Sequence, residues 1–338
     1  MTTLLLVLVV VLAIAMAYMN GFHDASNAVT TTITTRTLPE STALSMAALL
    51  NVLGALLGMM LIVTSTPWAL ALLGMTPLTQ ETSGQPDVLG LALIAIMLAT
   101  IGWDLLTWWL GMPSSTWHAF FGSTLGVSLA IGAPAAWERL GVLLVVSLLG
   151  PVLSAALAYL VMQLVLGLGR HERLRRGHLR FAQTVSAGAV ATGHGLNDSR
   201  LPLAVIVIAF ATTGSAPTYA AALMVAVAMA IGLGTLVGGH RIIRVLGRHL
   251  TDLNVAQGLA AETSAAATMS LGLFGLGSPV STSHALASSV VGAGVAQGQR
   301  NVRWQVAGRI LLIWLATPLA CAMVGAALVG TLLSMTSG

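Results

Sequence analysis

One short stretch near the N-terminus carries more chemistry than the apolar chain around it should tolerate. Asn20-Gly21-Phe22-His23-Asp24-Ala25-Ser26-Asn27-Ala28 sets a carboxylate, an imidazole and two amides in a run with no other acidic or basic side chain from Met1 to Thr35. An ionised group at membrane depth costs at least ~2.5 kcal/mol on insertion scales, and it is kept where it faces a cavity or a partner. A related stretch, His194-Gly195-Leu196-Asn197-Asp198, places Asp198 174 residues after Asp24. Carboxylates and amide oxygens from Asp24, Asn27, Asn197 and Asp198 are what hard cations bind, and the Asn amides also offer donors to an oxyanion. The two stretches therefore read as halves of one solute-binding site. Polar groups also glue membrane helices together, but that use does not explain an Asp repeated in both halves.

A second pair of motifs supplies hydroxyls. Pro113-Ser114-Ser115-Thr116-Trp117-His118 and Pro279-Val280-Ser281-Thr282-Ser283-His284 share the pattern Pro-x-Ser-Thr-x-His, with its serine at 115 and 281, an offset of 166. A Gly/Pro turn before a Ser/Thr run marks a helix start, where free N–H groups and the positive dipole end suit an anion. Ordinary N-capping accounts for each alone; two facing each other would grip a tetrahedral oxyanion through Ser114, Ser115, Thr116, Ser281, Thr282 and Ser283. Glu262, in Ala261-Glu262-Thr263-Ser264-Ala265, is the one acid of a small-residue segment and a candidate cation or proton site. Asp104 is its nearest counterpart in the first half, without aligning to it. His118 and His284 suit a proton-linked switch or a structural role equally. Arg200 reads as a partner of Asp198 or an attractor of the anion.

These groups must be positioned by membrane helices. Residues are 57% hydrophobic and 7% charged, with a mean hydropathy of +0.92, against about a quarter charged in soluble domains. The chain is expected to be an all-α polytopic membrane protein, with the lipid bilayer as its surroundings. The single Cys321 excludes a disulfide framework or a cysteine zinc site. All 14 basic residues are Arg, placed mostly between apolar runs, so bilayer orientation explains them better than nucleic acid. The first run lacks a basic leader and a cleavage motif, and reads as a retained helix.

Apolar runs are expected over 3–35, with a break at Gly21, then 43–64, 88–110 with 114–131, and 140–168. A polar connection runs from Thr64 to Asp87. The second half repeats the plan with 182–213, broken within Gly193–Pro202, then 217–238, 255–276 with 284–297, and 304–334. The domains are thus a first repeat at 1–168 with hairpin 88–131, a basic cytoplasmic loop at 169–180, and a second, inverted repeat at 181–338 with hairpin 255–297. If each split pair is a re-entrant hairpin, Arg36, the 170–180 cluster, Arg241–Arg248, Arg300 and Arg303 share one face. Glu81, Asp87, Glu138 and Arg139 share the other. The positive-inside rule makes the arginine face cytoplasmic and both termini extracytoplasmic, in the plasma membrane. Inverted repeats with broken helices and a midplane site are a plan of secondary transporters.

The duplicated motifs resemble those of the inorganic phosphate transporter (PiT) family over essentially the whole chain. Its signature, approximately Gly-x-Asn-Asp-x-Ala-Asn-Ala, is matched at Gly21–Ala28 by Asp24, Asn27 and Ala28, and at Gly195–Pro202 by Asn197 and Asp198. Gln257-Gly258-Leu259-Ala260-Ala261-Glu262-Thr263-Ser264-Ala265 followed by Pro279–His284 looks like the family's second hairpin. The resemblance implies symport of inorganic phosphate with H⁺ or Na⁺, sometimes as a metal-phosphate complex, with no other cofactor. It assigns oxyanion contacts to the hairpin Ser/Thr and Asp/Asn residues, and cation coupling to Asp24, Asp198 and Glu262. His23 stands where Asn is usual, and as a titrating group tilts the coupling towards protons. Leu201-Pro202 replaces Asn-Ala, which puts one sodium site in doubt. Trp117 replaces a small hydroxyl residue and would reshape the pocket. Sulfate is the rival cargo, although phosphate can donate a proton to Asp24 or Asp198 and sulfate at neutral pH cannot. A homodimer is compatible with this reading. An intramembrane enzyme built on Ser115 or Ser281 is not favoured, because symmetry would duplicate nucleophile and base.

Overall fold

The computed structural model describes residues 1–61, 66–169, 175–214 and 220–336. Of the expected basic loop, Arg170 to Leu174 lie outside these, as does Thr64 at the start of the polar connection. The described residues form helices and contain no strand. The first half comprises α1 (Thr3–Thr34), α2 (Glu40–Leu61), α3 (Thr66–Leu73), α4 (Thr76–Glu81), α5 (Pro86–Leu110), α6 (Thr116–Ala130) and α7 (Trp137–Gly169). The second comprises α8 (Arg176–Asp198), α9 (Arg200–Ala211), α10 (Ala220–Val237), α11 (His240–Arg244), α12 (Val255–Ser270), α13 (Thr282–Gln297) and α14 (Trp304–Thr336). Six of them, α1, α2, α5, α7, α10 and α14, are long and apolar enough to cross a bilayer. At 15 and 16 residues, α6 and α13 are shorter than the ~20 residues a crossing needs. They are the returning legs of the hairpins begun by α5 and α12.

Local chemistry sets the turns. Gly111 ends α5 in the left-handed region, at φ 71°, a conformation glycine adopts without Cβ strain. Pro113 keeps the chain extended, and Ser115 caps α6 by accepting from the His118 N–H. On α12, Asn254 and Gln257 form a capping box, and Ser281 caps α13 as Ser115 caps α6.

Three boundaries differ from expectation. First, α1 runs unbroken through Gly21. The glycine is there for contact: a Cβ on it would lie 2.1 Å from the Ile231 carbonyl oxygen of α10. Its mate Gly195 lies inside α8, where a Cβ would come 2.1 Å from the Asn51 oxygen of α2. The break in that run falls at Ser199, between α8 and α9, inside the expected Gly193–Pro202 stretch but past both of its glycines. Second, the polar connection contains α3 and α4, with Pro67 and Pro77 near their starts, where a missing N–H costs nothing. Third, the basic loop is shorter than expected, because Arg176 to Arg180 already belong to α8. The Arg241–Arg248 segment is likewise helical, with α11 passing into a π-helical turn over Val245–Leu250.

Close approach also reveals the repeat. Backbone oxygens of Tyr18 and Phe22 on α1 meet Gly234 of α10 and Gly238 just past its end, as those of Thr192 and Leu196 on α8 meet Gly54 and Gly58 of α2. Gly126 of α6 meets Ala322 of α14, and Gly292 of α13 meets Ala155 of α7. Each pair joins one half of the chain to the other, so the halves interlock through small-residue crossings. Charges sort to two ends. The Met1 amine is 3.6 Å from Asp87, and Arg36 follows the far end of α1, whose 32 residues span ~48 Å. Gly247 packs on Thr34, and Arg303 bonds the Arg248 carbonyl at 2.6 Å and Asp252 at 3.0 Å. Arg36, Arg248 and Arg303 thus gather at one end.

Candidate solute-binding site

Two helices bring the acidic motifs together. Asn20, His23, Asp24, Asn27 and Thr31 recur at helical spacing along α1, and Ser186, His194, Asn197 and Asp198 do so along α8. All are buried. His194 joins the halves: its Nε2 is 3.1 Å from Asp198 Oδ2 and 3.8 Å from Asp24 Oδ2, while its Nδ1 is 2.9 Å from Asn51 Oδ1. Asp24, His194 and Asp198 offer ligating atoms within 4.8 Å of one another, a set able to hold a cation.

Each carboxylate is heavily solvated by side chains. Asp198 Oδ1 accepts from the Trp117 indole N–H at 2.9 Å and from Asn197 at 2.7 Å, and Asn20 donates to Oδ2 at 3.2 Å. Asp24 Oδ1 accepts from Ser283 at 2.9 Å and lies 2.9 Å from His23 Nδ1. Such charge-assisted bonds substitute for water where the bilayer supplies none.

The hairpin tips close over this core. Ser283 links Asp24 to Asn27, whose amide donates to its Oγ at 2.9 Å. Thr116 donates to Asp104 Oδ2 at 2.8 Å and accepts from Asn20 at 3.2 Å. Ser114 bonds Thr107 at 2.9 Å, with His23 Nε2 3.4 Å away. Ser115 and Ser281 spend their oxygens as caps on the His118 and His284 amides, so neither pairs with a histidine as a nucleophile would. The tips touch through the rings of His118 and His284, stacked at 4.7 Å, which brings two positive helix ends together. The void between them, lined in part by Trp117, Pro279, Ser281 and His284, is about 10 Å³. That is room for about one water.

Several buried polar atoms around the core have no hydrogen-bond partner among the described residues: Asn20 Oδ1, Asn27 Oδ1, Asp104 Oδ1 and Thr282 Oγ1. Unpaired buried groups cost about 1–3 kcal/mol each, so these atoms are available to partners from outside the chain. Most of the expected residues meet here. Glu262 does not: it bonds Thr31 and, at 2.9 Å, Ser186, forming an all-oxygen cluster of its own. Thr31 is two turns from Asp24 on α1, about 10 Å along the axis. Arg200, expected near Asp198 or an anion, spends its hydrogen bonds on Asn197, at 3.1 Å to the carbonyl and 2.5 Å to Oδ1. Its guanidinium lies 6.0 Å from the centre of the Trp117 ring. Asp104, Thr107, Thr31 and Ser186 were not among the expected ligands; the last two continue the polar faces of α1 and α8, and that spacing was their signal.

The model of the phosphate transporter family matches residues 20–177 and again 167–325. A probable low-affinity inorganic phosphate transporter of Mycobacterium bovis is 35% identical over 333 residues, 95% of this chain and 76% of the relative. Another, of Bacillus subtilis, is 30% identical over 330 residues, 96% of each. The solved structure of a sodium-dependent phosphate transporter superposes with a TM-score of 0.79 over 98% of this chain and 99% of that one. At 20% identity, that is a likeness of fold.

Proposed function

We propose, for a chain that belongs to the phosphate transporter family, that it carries inorganic phosphate into the cell through the plasma membrane in symport with protons. The observation that carries this reading is the Asp24–His194–Asp198 bridge beneath two hairpin N-termini. The N-termini offer an oxyanion hydroxyls and amides. The bridge offers a place to exchange a proton with it, which phosphate can do and sulfate at neutral pH cannot.

Protons are favoured over Na⁺ by what surrounds the carboxylates. Asp198 takes N–H donors from Trp117, Asn197 and Asn20, whereas a hard cation wants a shell of oxygens. His23 on Asp24 adds a second imidazole able to relay a proton. Glu262 with Thr31 and Ser186 is the coupling position better suited to Na⁺. If the cargo travels as a metal-phosphate complex, its metal has Asp24, His194 and Asp198 as ligands. One chain holds both halves of the site, so no dimer is needed to complete it. The arginine-rich end faces the cytoplasm and both termini face outward.

Uptake of labelled phosphate into proteoliposomes under imposed gradients tests this. An inward pH gradient should drive accumulation without Na⁺. Accumulation driven only by Na⁺ would move the coupling to Glu262, and sulfate uptake indifferent to excess phosphate would overturn the cargo.

A further inference from the structure

Away from the carboxylates, a crevice of about 510 Å³ opens between α6, α7, α13 and α14. That volume is within the range of small-molecule sites. Its rim consists of Leu144, Leu148 and Val152 on α7 and Leu311 and Leu315 on α14, all exposed. Only 22% of the most apolar window of either helix is buried, so this rim faces the bilayer. Its floor is different: the stacked imidazoles of His118 and His284, with Trp314 3.9 Å from the latter.

The floor is polar and unsatisfied. His284 is 4% exposed, yet neither ring nitrogen has a hydrogen-bond partner among the described residues, and His118 Nδ1 has none either. The tautomer of His118 follows from its neighbour. The Ser147 hydroxyl donates to the Leu143 carbonyl at 2.6 Å, so it must accept from His118 Nε2. His118 Nδ1 is therefore a lone pair in need of a donor, and a neutral His284 offers one N–H and one lone pair. Hydrocarbon can supply neither, and at this depth unsatisfied groups are expensive. Depth also selects the headgroup. Ser147 lies about 15 Å along α7 from its start, near mid-bilayer, where a phosphodiester or other fixed charge is disfavoured.

We propose that this crevice binds a protonated long-chain fatty acid, its carboxyl on the His118–His284 pair and its acyl chain along the leucine rim. A carboxylic acid presents an O–H donor and a C=O acceptor on one carbon, complementary to the lone pair and N–H on the floor. A ketone, quinone or ester presents acceptors only and leaves His118 Nδ1 unpaired. Both histidines stand in the first turns of the hairpin helices, so the occupant ties the two tips together and slows their parting. This inference does not depend on which anion or coupling ion the protein carries.

The test uses the full chain in lipid nanodiscs with a diazirine-bearing sixteen-carbon fatty acid, its cross-links mapped by mass spectrometry. Labelling should concentrate on the peptides containing Leu144–Val152 and Leu311–Leu315, and excess unlabelled acid should compete. The methyl ester of the same probe, lacking the donor, should label these peptides about tenfold less, as the loss of one or two hydrogen bonds implies. Leu315→Trp fills the crevice and His284→Phe keeps the stacked ring without its nitrogens; each should reduce labelling similarly. If His284→Phe fails to fold, Leu315→Trp on the lipid-facing rim still decides. Labelling spread evenly over lipid-facing helices, or equal for acid and ester, would overturn the proposal.

Discussion

Asp198 accepts hydrogen bonds from residues on three helices, Trp117 of α6, Asn20 of α1 and Asn197 of its own α8, with the last held in turn by Arg200 of α9, and His194 Nε2 lies 3.1 Å away. A carboxylate so enclosed is fixed in place, whereas Asp24 Oδ2 has only His194, 3.8 Å away, among the described residues. Asp24 is therefore the freer of the two to exchange a proton with a bound anion. Asp24→Asn and Asp198→Asn should each lower phosphate uptake at least about tenfold, equivalent to ~1.4 kcal/mol, with the protein still present in the membrane on immunoblots. Normal uptake in either variant would remove these carboxylates from the mechanism. Trp117→Phe keeps an aromatic ring beside Arg200 and deletes one charge-assisted bond to Asp198, worth about 1.5–3 kcal/mol. Its apparent affinity for phosphate in proteoliposomes should fall by about tenfold or more, and an unchanged affinity would show that Asp198 needs no help from α6. The aspartates were legible in the sequence because a charge at membrane depth is costly. The direction in which Asn20, Trp117 or Arg200 points depends on the packing of α1, α6 and α9, which no spacing encodes.

Elements carry a different kind of information. The hairpin tips were readable because Pro113 and Pro279 force a stop and the following serines mark a start. Gly21 read as a break, and Gly195 fell in the stretch expected to hold one, since a glycine in a membrane helix looks the same whether it bends its own helix or admits a neighbour. The distinction needs the partner: Ile231 of α10 for one and Asn51 of α2 for the other. The short α3 and α4 were missed because a proline that opens a helix also reads as a loop. The interlocking crossings should dominate stability. Gly238→Ala, just past the end of α10, puts a methyl group 1.9 Å from the Phe22 oxygen, so the end of α10 must move away from α1, at a cost of about 1–3 kcal/mol. Around Gly102 in α5, a methyl group would meet no atom within 4 Å, and Gly102→Ala should be neutral or slightly stabilising. Thermal unfolding in detergent should lower the midpoint for Gly238→Ala alone. Equal midpoints would mean that the crossing is loose enough to absorb a methyl group.

For the molecule as a whole, each half contributes one acidic helix, one hairpin and one outer helix, yet every tight crossing described above is made with the other half. Neither half could close the site alone: Asp24 needs Ser283 and His194, and Asp198 needs Asn20 and Trp117. Inversion of the second half gives the two hairpins opposite points of entry, the geometry that lets one site open to either side in turn. The direction of transport then depends on which end faces the cytoplasm. Asp87 stands beside Met1 at one end, and Arg36, Arg248 and Arg303 gather at the other. An excess of arginine is retained on the cytoplasmic side during insertion, so Arg300 should be cytoplasmic and Glu138 external. The single native Cys321 is buried, which keeps the background low for cysteine labelling. With a membrane-impermeant maleimide, Glu138→Cys should react on intact cells and Arg300→Cys only after the membrane is opened. The reverse pattern would turn the molecule over and make the first hairpin, not the second, the one that enters from the cytoplasm.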